Sequence, residues 1–245
     1  MIQISNRLQE AAAMVTPGNM LADVGTDHGY VPIYLVQKGV IPGAIAMDIN
    51  KGPLERAKEH IGQNGLGDYI QTRLSDGVAA LQVGEADTIL VAGMGGGLVI
   101  HILEEGMDVC KNAKELILQP QSELQNVRVY LREHGFAIVE ERMVLEDGKY
   151  YPMMKVTYRG ENDCKLSEKK VKLYQMIEDK YGPLLLREQN TVLLQYLQKE
   201  EMLYRNIRSE LQKLPASEKI AARLAEVEQE LVYIKEATEW DRHFR

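Results

Sequence analysis

Along the first 160 positions, short apolar runs alternate with stretches in which apolar residues recur every three or four places. Runs at 20–26 (MLADVGT), 44–50 (AIAMDIN), 70–76 (IQTRLSD), 86–94 (ADTILVAGM), 115–121 (ELILQPQ), 136–146 (FAIVEERMVLE) and 150–159 (YYPMMKVTYR) predict strands. Helical patterns at 29–38, 53–63, 96–105 and 122–134 lie between the earlier ones, and MIQISNRLQEAAAMV opens the chain as the start of an amphipathic helix. This alternation implies an α/β fold, a mostly parallel sheet with helices on both faces. Asp147-Gly148 is a hairpin signal between the last two runs, which makes the last strand antiparallel.

Beyond Arg159 the pattern changes. GENDCKLSEKK is polar and reads as a linker, and strand signals are almost absent from Leu166 onward. Ile220, Leu224, Val227, Leu231 and Ile234 repeat at four-three-four-three spacing, a coiled-coil seam. Leu193, Leu197, Leu203, Ile207, Leu211 and Leu214 form a looser stripe upstream. Pro215 stops one helix and Ser217 can cap the next. The expectation is a sheet domain over 1–160 and an antiparallel, coiled-coil helical hairpin over 161–245.

Composition narrows the function classes. The 245 residues are 45% hydrophobic and 27% charged, as in soluble globular proteins. No apolar run is long enough to span a membrane, and the N-terminus lacks the layout of a signal peptide. The two cysteines, Cys110 and Cys164, have no neighbours at metal-ligand spacing, so free thiols in a reducing cytoplasm and no metal site are expected. The net charge is −7: residues 1–160 hold 14 Lys+Arg against 20 Asp+Glu (−6), and the rest 15 against 16 (−1). A strongly basic nucleic-acid binder is excluded, although locally clustered charge still decides such contacts.

The chemistry gathers where strands end. DVGTDHGY places Asp23, Gly25, Asp27, His28 and Gly29 in a strand-to-helix turn, where free helix amides and strand carboxyl ends receive ligands. Asp48 ends the second run, 23 residues after Gly25, where an acid can accept hydrogen bonds from ribose hydroxyls. Asp76, followed by Gly77, ends the third run, and VAGMGGG ends the fourth. All should converge on one sheet edge. A dinucleotide site would want a second glycine where Asp27 stands, because a carboxylate there faces phosphate. S-adenosylmethionine has no phosphate and carries two cationic centres, so it suits these acids better.

DVGTDHGY, AMDIN, LSDG, VAGMGG, LQPQS and DGKYYP, followed by a helical hairpin, resemble the bacterial tRNA adenosine-22 N1-methyltransferase (TrmK) family in order and spacing. The resemblance covers the whole chain. It implies a Rossmann-like class I methyltransferase fold and S-adenosylmethionine as cofactor. Asp23, Gly25, Asp27, His28 and Gly29 would lie near the methionine part, with Ala92 and Gly93 completing the cofactor wall. Asp48 and Ile49 would lie by the ribose, and Asp76 with Gly77 by the adenine. GMGG stands where amino-directed adenine enzymes carry an Asn/Asp-Pro-Pro-aromatic motif, which points away from N6 methylation.

Adenine N1 has an in-plane lone pair and needs alignment more than a strong base. A Watson–Crick pair hides it, so the base must be exposed or flipped. Asp27 is the first candidate to stabilise the developing cation, His28 the second titratable group, and Met94 a surface for the base. Tyr30 and Tyr150 can stack on it, Gly95 lets backbone approach it, and Gln119 can read its edge. The expected partner is tRNA, met in the cytoplasm; a monomer is favoured, although a coiled-coil seam can pair within or between chains. Two rivals stand: a methyltransferase of small molecules or proteins, and a nucleotide-sensing module whose coiled coil recruits a partner.

Overall fold

The computed structural model describes residues 2–160 and 169–240, with side chains of 169–171 excepted. It divides into two compact units, Met1–Lys165 and Leu166–Arg245. Glu161 to Glu168, and with them Cys164, Lys165 and the expected boundary at 160/161, lie outside the described residues.

The first unit is a seven-stranded sheet. Its strands are β1 (Leu21–Val24), β2 (Ala44–Asp48), β3 (Ile70–Leu74), β4 (Thr88–Met94), β5 (Glu115–Pro120), β6 (Phe136–Glu146) and β7 (Lys149–Tyr158), in the order β3-β2-β1-β4-β5-β7-β6. The pairs among β1 to β5 are parallel, and β7 runs antiparallel to both its neighbours. This is the mostly parallel sheet with an antiparallel last strand that the pattern implied. Asp147 and Gly148 both have positive φ (+49° and +74°), as the tight hairpin turn demands.

β1, β2 and β5 are buried along their whole length, because helices cover both faces. Ala22, Val24, Ile45, Met47, Ile89 and Val91 pack with Val99, Ile102, Val127 and Leu131 of α4 (Gly96–Glu105) and α6 (Leu124–Glu133). Leu21, Ala44, Ala46, Leu90 and Ile117 pack oppositely with α1 (Asn6–Ala13), α2 (Tyr30–Gln37) and α3 (Lys51–Gln63). A short α5 (Met107–Asn112), unread in the sequence, precedes β5. The order reverses between β1 and β4, so a crevice opens beyond their carboxyl ends.

The second unit contains α7 (Lys169–Tyr181), α8 (Pro183–Arg187), α9 (Thr191–Gln212) and α10 (Glu218–Thr238). The α7–α8 boundary falls at Gly182 (φ +100°) followed by Pro183 in the first helical turn. The Ser217 hydroxyl accepts from the Ile220 amide and caps α10. Val227 and Ile234 of α10 are buried, as are Leu193 and Leu197 of α9. Leu203 and Leu214 of the expected stripe are half exposed. Tyr204, one place after Leu203, is the residue that is partly covered. The true stripe follows helical geometry rather than the leucines.

Candidate active site

The β1–α2 turn is built from residues in the left-handed region. Gly25, Asp27 and Gly29 have φ of +71°, +50° and +71°. The Gly25 and Thr26 amides donate to the Met47 carbonyl (2.8 and 2.9 Å), which ties the turn to β2. A β-carbon on Gly25 would collide with the methyl group of Met94, so β4 and the turn touch through a glycine.

A cleft of about 510 Å³ opens on this turn. Asp23, Gly25, Thr26, Asp27, His28 and Tyr30 form one wall, Ala92, Gly93 and Gln121 another, and Gln3 to Leu8 a third. Asp23 is 5% exposed and accepts a hydrogen bond from the Thr26 hydroxyl (2.6 Å). Burial pushes its carboxyl up to about 6, opposed by that hydrogen bond and aided by the Asp48 charge. Asp48 is also buried, and its Oδ1 accepts from the Asn50 amide (2.8 Å). Ile49 beside it is 57% exposed.

Asp27 is an exposed carboxylate with two cationic or polar neighbours. Arg56 Nη2 donates to its Oδ1 (3.2 Å), and His28 Nε2 lies 3.4 Å from its Oδ2. His28, Tyr30 and His60 form a cluster of near-parallel rings with centroids 5.0–5.4 Å apart. His60 Nδ1 also contacts the His28 carbonyl (3.0 Å). His28 Nδ1 is buried, with no hydrogen-bond partner among the described residues.

Asp76 and Gly77 share the same sheet edge but line a second cavity of about 310 Å³, with His101, Ile102 and Glu105 of α4. The expected single convergence is thus a row of two hollows. The glycine run divides its work. Gly93 (φ +84°) satisfies a left-handed bend. Gly95 is extended and precedes α4. Gly96 leaves room for the Ser122 carbonyl, and the Gly97 amide donates to Glu123 Oε2 (2.9 Å). Gly96 and Gly97 therefore seat α4 against α6.

Gln119 requires a correction. Expected to read a base edge, it is fully buried, and its Oε1 accepts from Arg7 Nη1 (2.6 Å). A central β5 position covered on both faces leaves no room for a base. Tyr150 is held in register with Leu145 at the hairpin, while its neighbour Tyr151 carries the Arg7 guanidinium 5.4 Å above its ring. Sequence reasoning missed Arg7, Thr26, His60 and Gln121. The three-residue spacing from Asp23 to Thr26 was a legible signal; the others arrive from distant elements. Among the described residues, no acid, histidine or cysteine group is arranged to hold a metal ion.

In the helical unit, two arginines are committed to neighbouring carboxylates. Arg205 pairs with Glu201 (2.6 Å) and Arg223 with Glu226 (2.7 Å). Lys165 and the side chains of Lys169 and Lys170 lie outside the described residues. No described helix is long and apolar enough to cross a membrane.

A family model described as a methyltransferase domain matches residues 4–154. The tRNA (adenine(22)-N(1))-methyltransferase of Bacillus subtilis is 33% identical over 235 residues, 96% of this chain and 97% of the relative. The crystal structure of the B. subtilis M1A22 tRNA methyltransferase TrmK aligns at 32% identity with a TM-score of 0.81, covering 97% of this chain and 100% of that one. Sp1610 of Streptococcus pneumoniae, solved in complex with S-adenosyl-L-methionine, aligns at 34% identity with a TM-score of 0.80, over 96% and 100%. The fold, the crevice at the strand reversal and a likeness that runs through both units agree: the chain belongs to the tRNA (adenine(22)-N(1))-methyltransferase family of class I methyltransferases.

Proposed function

We propose that this chain transfers a methyl group from S-adenosylmethionine to N1 of adenosine 22 in tRNA, in the cytoplasm. The family supports the reaction. The observation in the molecule that carries it is the cleft at the β1/β4 reversal, with a buried carboxylate, a glycine turn and no phosphate-cradling glycine pattern. The residues suit the cofactor. Asp23 supplies a buried acceptor for an ammonium group, and Asp48 an acceptor for ribose hydroxyls with Oδ1 already oriented by Asn50. Asp76 and Gly77 border the second hollow, sized for a planar base.

When bound, the cofactor supplies an electrophilic methyl group. The chain's task is to hold the target adenine in line with it and to keep water out. N1 attacks with its own lone pair, so no residue has to remove a proton before the transfer. The product base is cationic, and Asp27 is the exposed acid of the cleft wall. Its pairing with Arg56 and His28 fixes the carboxylate in place for that role. The Tyr30 ring, in the cleft wall, offers a flat surface to the base, and Met94, braced against Gly25, an apolar one. In this reading the sheet unit binds the cofactor and the helical unit grips tRNA.

Incubation with methyl-labelled S-adenosylmethionine and tRNA from cells lacking this activity tests the reading. Label in N1-methyladenosine after digestion to nucleosides is the expected result. Label in protein or small molecules only would replace it with the rival substrate class.

A further inference from the structure

Helix α3 holds the β1–α2 turn at three successive residues. Arg56 donates to the Asp27 carboxylate (3.2 Å), and His60 Nδ1 contacts the His28 carbonyl (3.0 Å). Gly29 lies against Ala57, where an added β-carbon would stand 3.4 Å from the Ala57 β-carbon. Arg56, Ala57 and His60 fall on one side of the helix. The turn needs such a hold. Asp27 carries a side chain at φ +50°, and a left-handed residue other than glycine persists only where its surroundings fix it.

The His28 carbonyl lacks the donor that a continuing helix would give it. The residue four places on is Pro32, which has no N–H. The Ile33 amide donates instead to Gly29 (3.1 Å). His60 reaches across from α3 and supplies the missing donor. A carbonyl only accepts, so Nδ1 of His60 carries the proton whether the ring is neutral or charged. The same ring makes a second contact. Its centroid lies 5.4 Å from that of His28 and 5.3 Å from that of Tyr30, with the planes 25° and 13° apart. Asp27, His28 and Tyr30 line the cleft, and His60 touches two of them from outside its wall.

We infer that His60 is a positioning residue for methyl transfer: its Nδ1–H, by holding the His28 carbonyl, keeps Asp27, His28 and Tyr30 aimed at the target base. The inference rests on the proposed function, since it concerns the same reaction. The acids and amides assigned to the cofactor are fixed by other bonds. Asp23 is held by the Thr26 hydroxyl, Asp48 by the Asn50 amide, and the Gly25 and Thr26 amides by the Met47 carbonyl. Loss of the His60 bond therefore falls on the alignment of the base, and so on rate rather than on cofactor affinity. A merely structural role would lower both.

Two substitutions separate the bond from the ring. His60→Asn sets an amide N–H where Nδ1 stands and removes the ring. His60→Phe keeps a ring and removes the donor. Single-turnover methylation of tRNA at saturating S-adenosylmethionine should be about tenfold slower or more in His60→Phe. His60→Asn should stay within about threefold of the parent rate, and both variants should bind S-adenosylhomocysteine within about twofold of the parent by calorimetry. Nitrogen NMR of the imidazole rings in the unaltered protein should find His60 Nδ1 protonated. A parent-like rate in His60→Phe, equal slowing in both variants, or cofactor binding weakened in step with the rate would each overturn the inference. So would an Nδ1 without its proton, a result that needs no turnover. Failure of the unaltered protein to methylate tRNA at all would remove the functional reading itself, a separate result.

Discussion

The methyl group of Met94 fills the space that a β-carbon on Gly25 would need. Gly25 also has φ +71°, so two independent constraints exclude a side chain there. Gly25→Ala should cost about 1–3 kcal/mol from the left-handed backbone alone. Met94→Ala in the same chain should recover the steric part and leave the backbone part. A double-mutant cycle by chemical denaturation should therefore give a coupling of about 0.5–3 kcal/mol. Additive effects would mean that the two residues do not meet in solution.

Asp23 makes stability depend on pH. Its folded pKa of about 6 lies above the ordinary 3.8, so the folded state holds the proton more tightly than the unfolded state. Stability is full below about pH 4 for this group and is lost as pH rises through about 6. The shift corresponds to about 3 kcal/mol as an order of magnitude. Asp23→Asn should raise the melting temperature at pH 8 relative to the parent and flatten the profile between pH 4 and 6. It should also weaken cofactor binding, because the ammonium partner is gone. A parent-like profile would show that Asp23 titrates normally.

Asp48 at the end of β2 and Asp27 in the turn should separate binding from rate. Asp48→Ala removes an acceptor for ribose and should weaken S-adenosylmethionine at least about tenfold. Asp27→Ala should keep that affinity but slow single-turnover methyl transfer about tenfold or more. Titration and rapid-quench measurements on both variants decide. Unchanged affinity in the first removes Asp48 from the ribose site, and an unchanged rate in the second leaves Asp27 a structural anchor for Arg56.

Much of this was legible in the chain. The apolar runs located all seven strands, most plainly β1, β2 and β5, whose burial on both faces leaves dense apolar stretches. Their polar ends marked Asp23, Asp48 and Asp76 as edge residues. Arg7 was not legible, because its place depends on α1 docking against β6 and the Glu146 carboxylate, more than 130 residues away. Gln119 was misread for the same reason: a polar residue ending a strand looks accessible until a second element covers it. The α9 stripe failed at Leu203 because leucine content was weighed above helical period.

The helical unit should hold tRNA while the sheet unit receives the base. The sheet unit's excess of acids repels phosphate over most of its surface. A chain cut after Gly160 should keep S-adenosylhomocysteine binding and lose most tRNA affinity. Binding by the full chain should fall steeply with added salt. Equal tRNA affinity in the two chains would make the helices a stabilising element only.

The most direct measurement uses one tRNA transcript and a copy with guanosine in place of adenosine 22. Both are incubated with S-adenosylmethionine and this protein, and their nucleosides are resolved by mass spectrometry. The account predicts one N1-methyladenosine per molecule in the first and none in the second. N6-methyladenosine in place of N1-methyladenosine, or equal methylation of both transcripts, would contradict it.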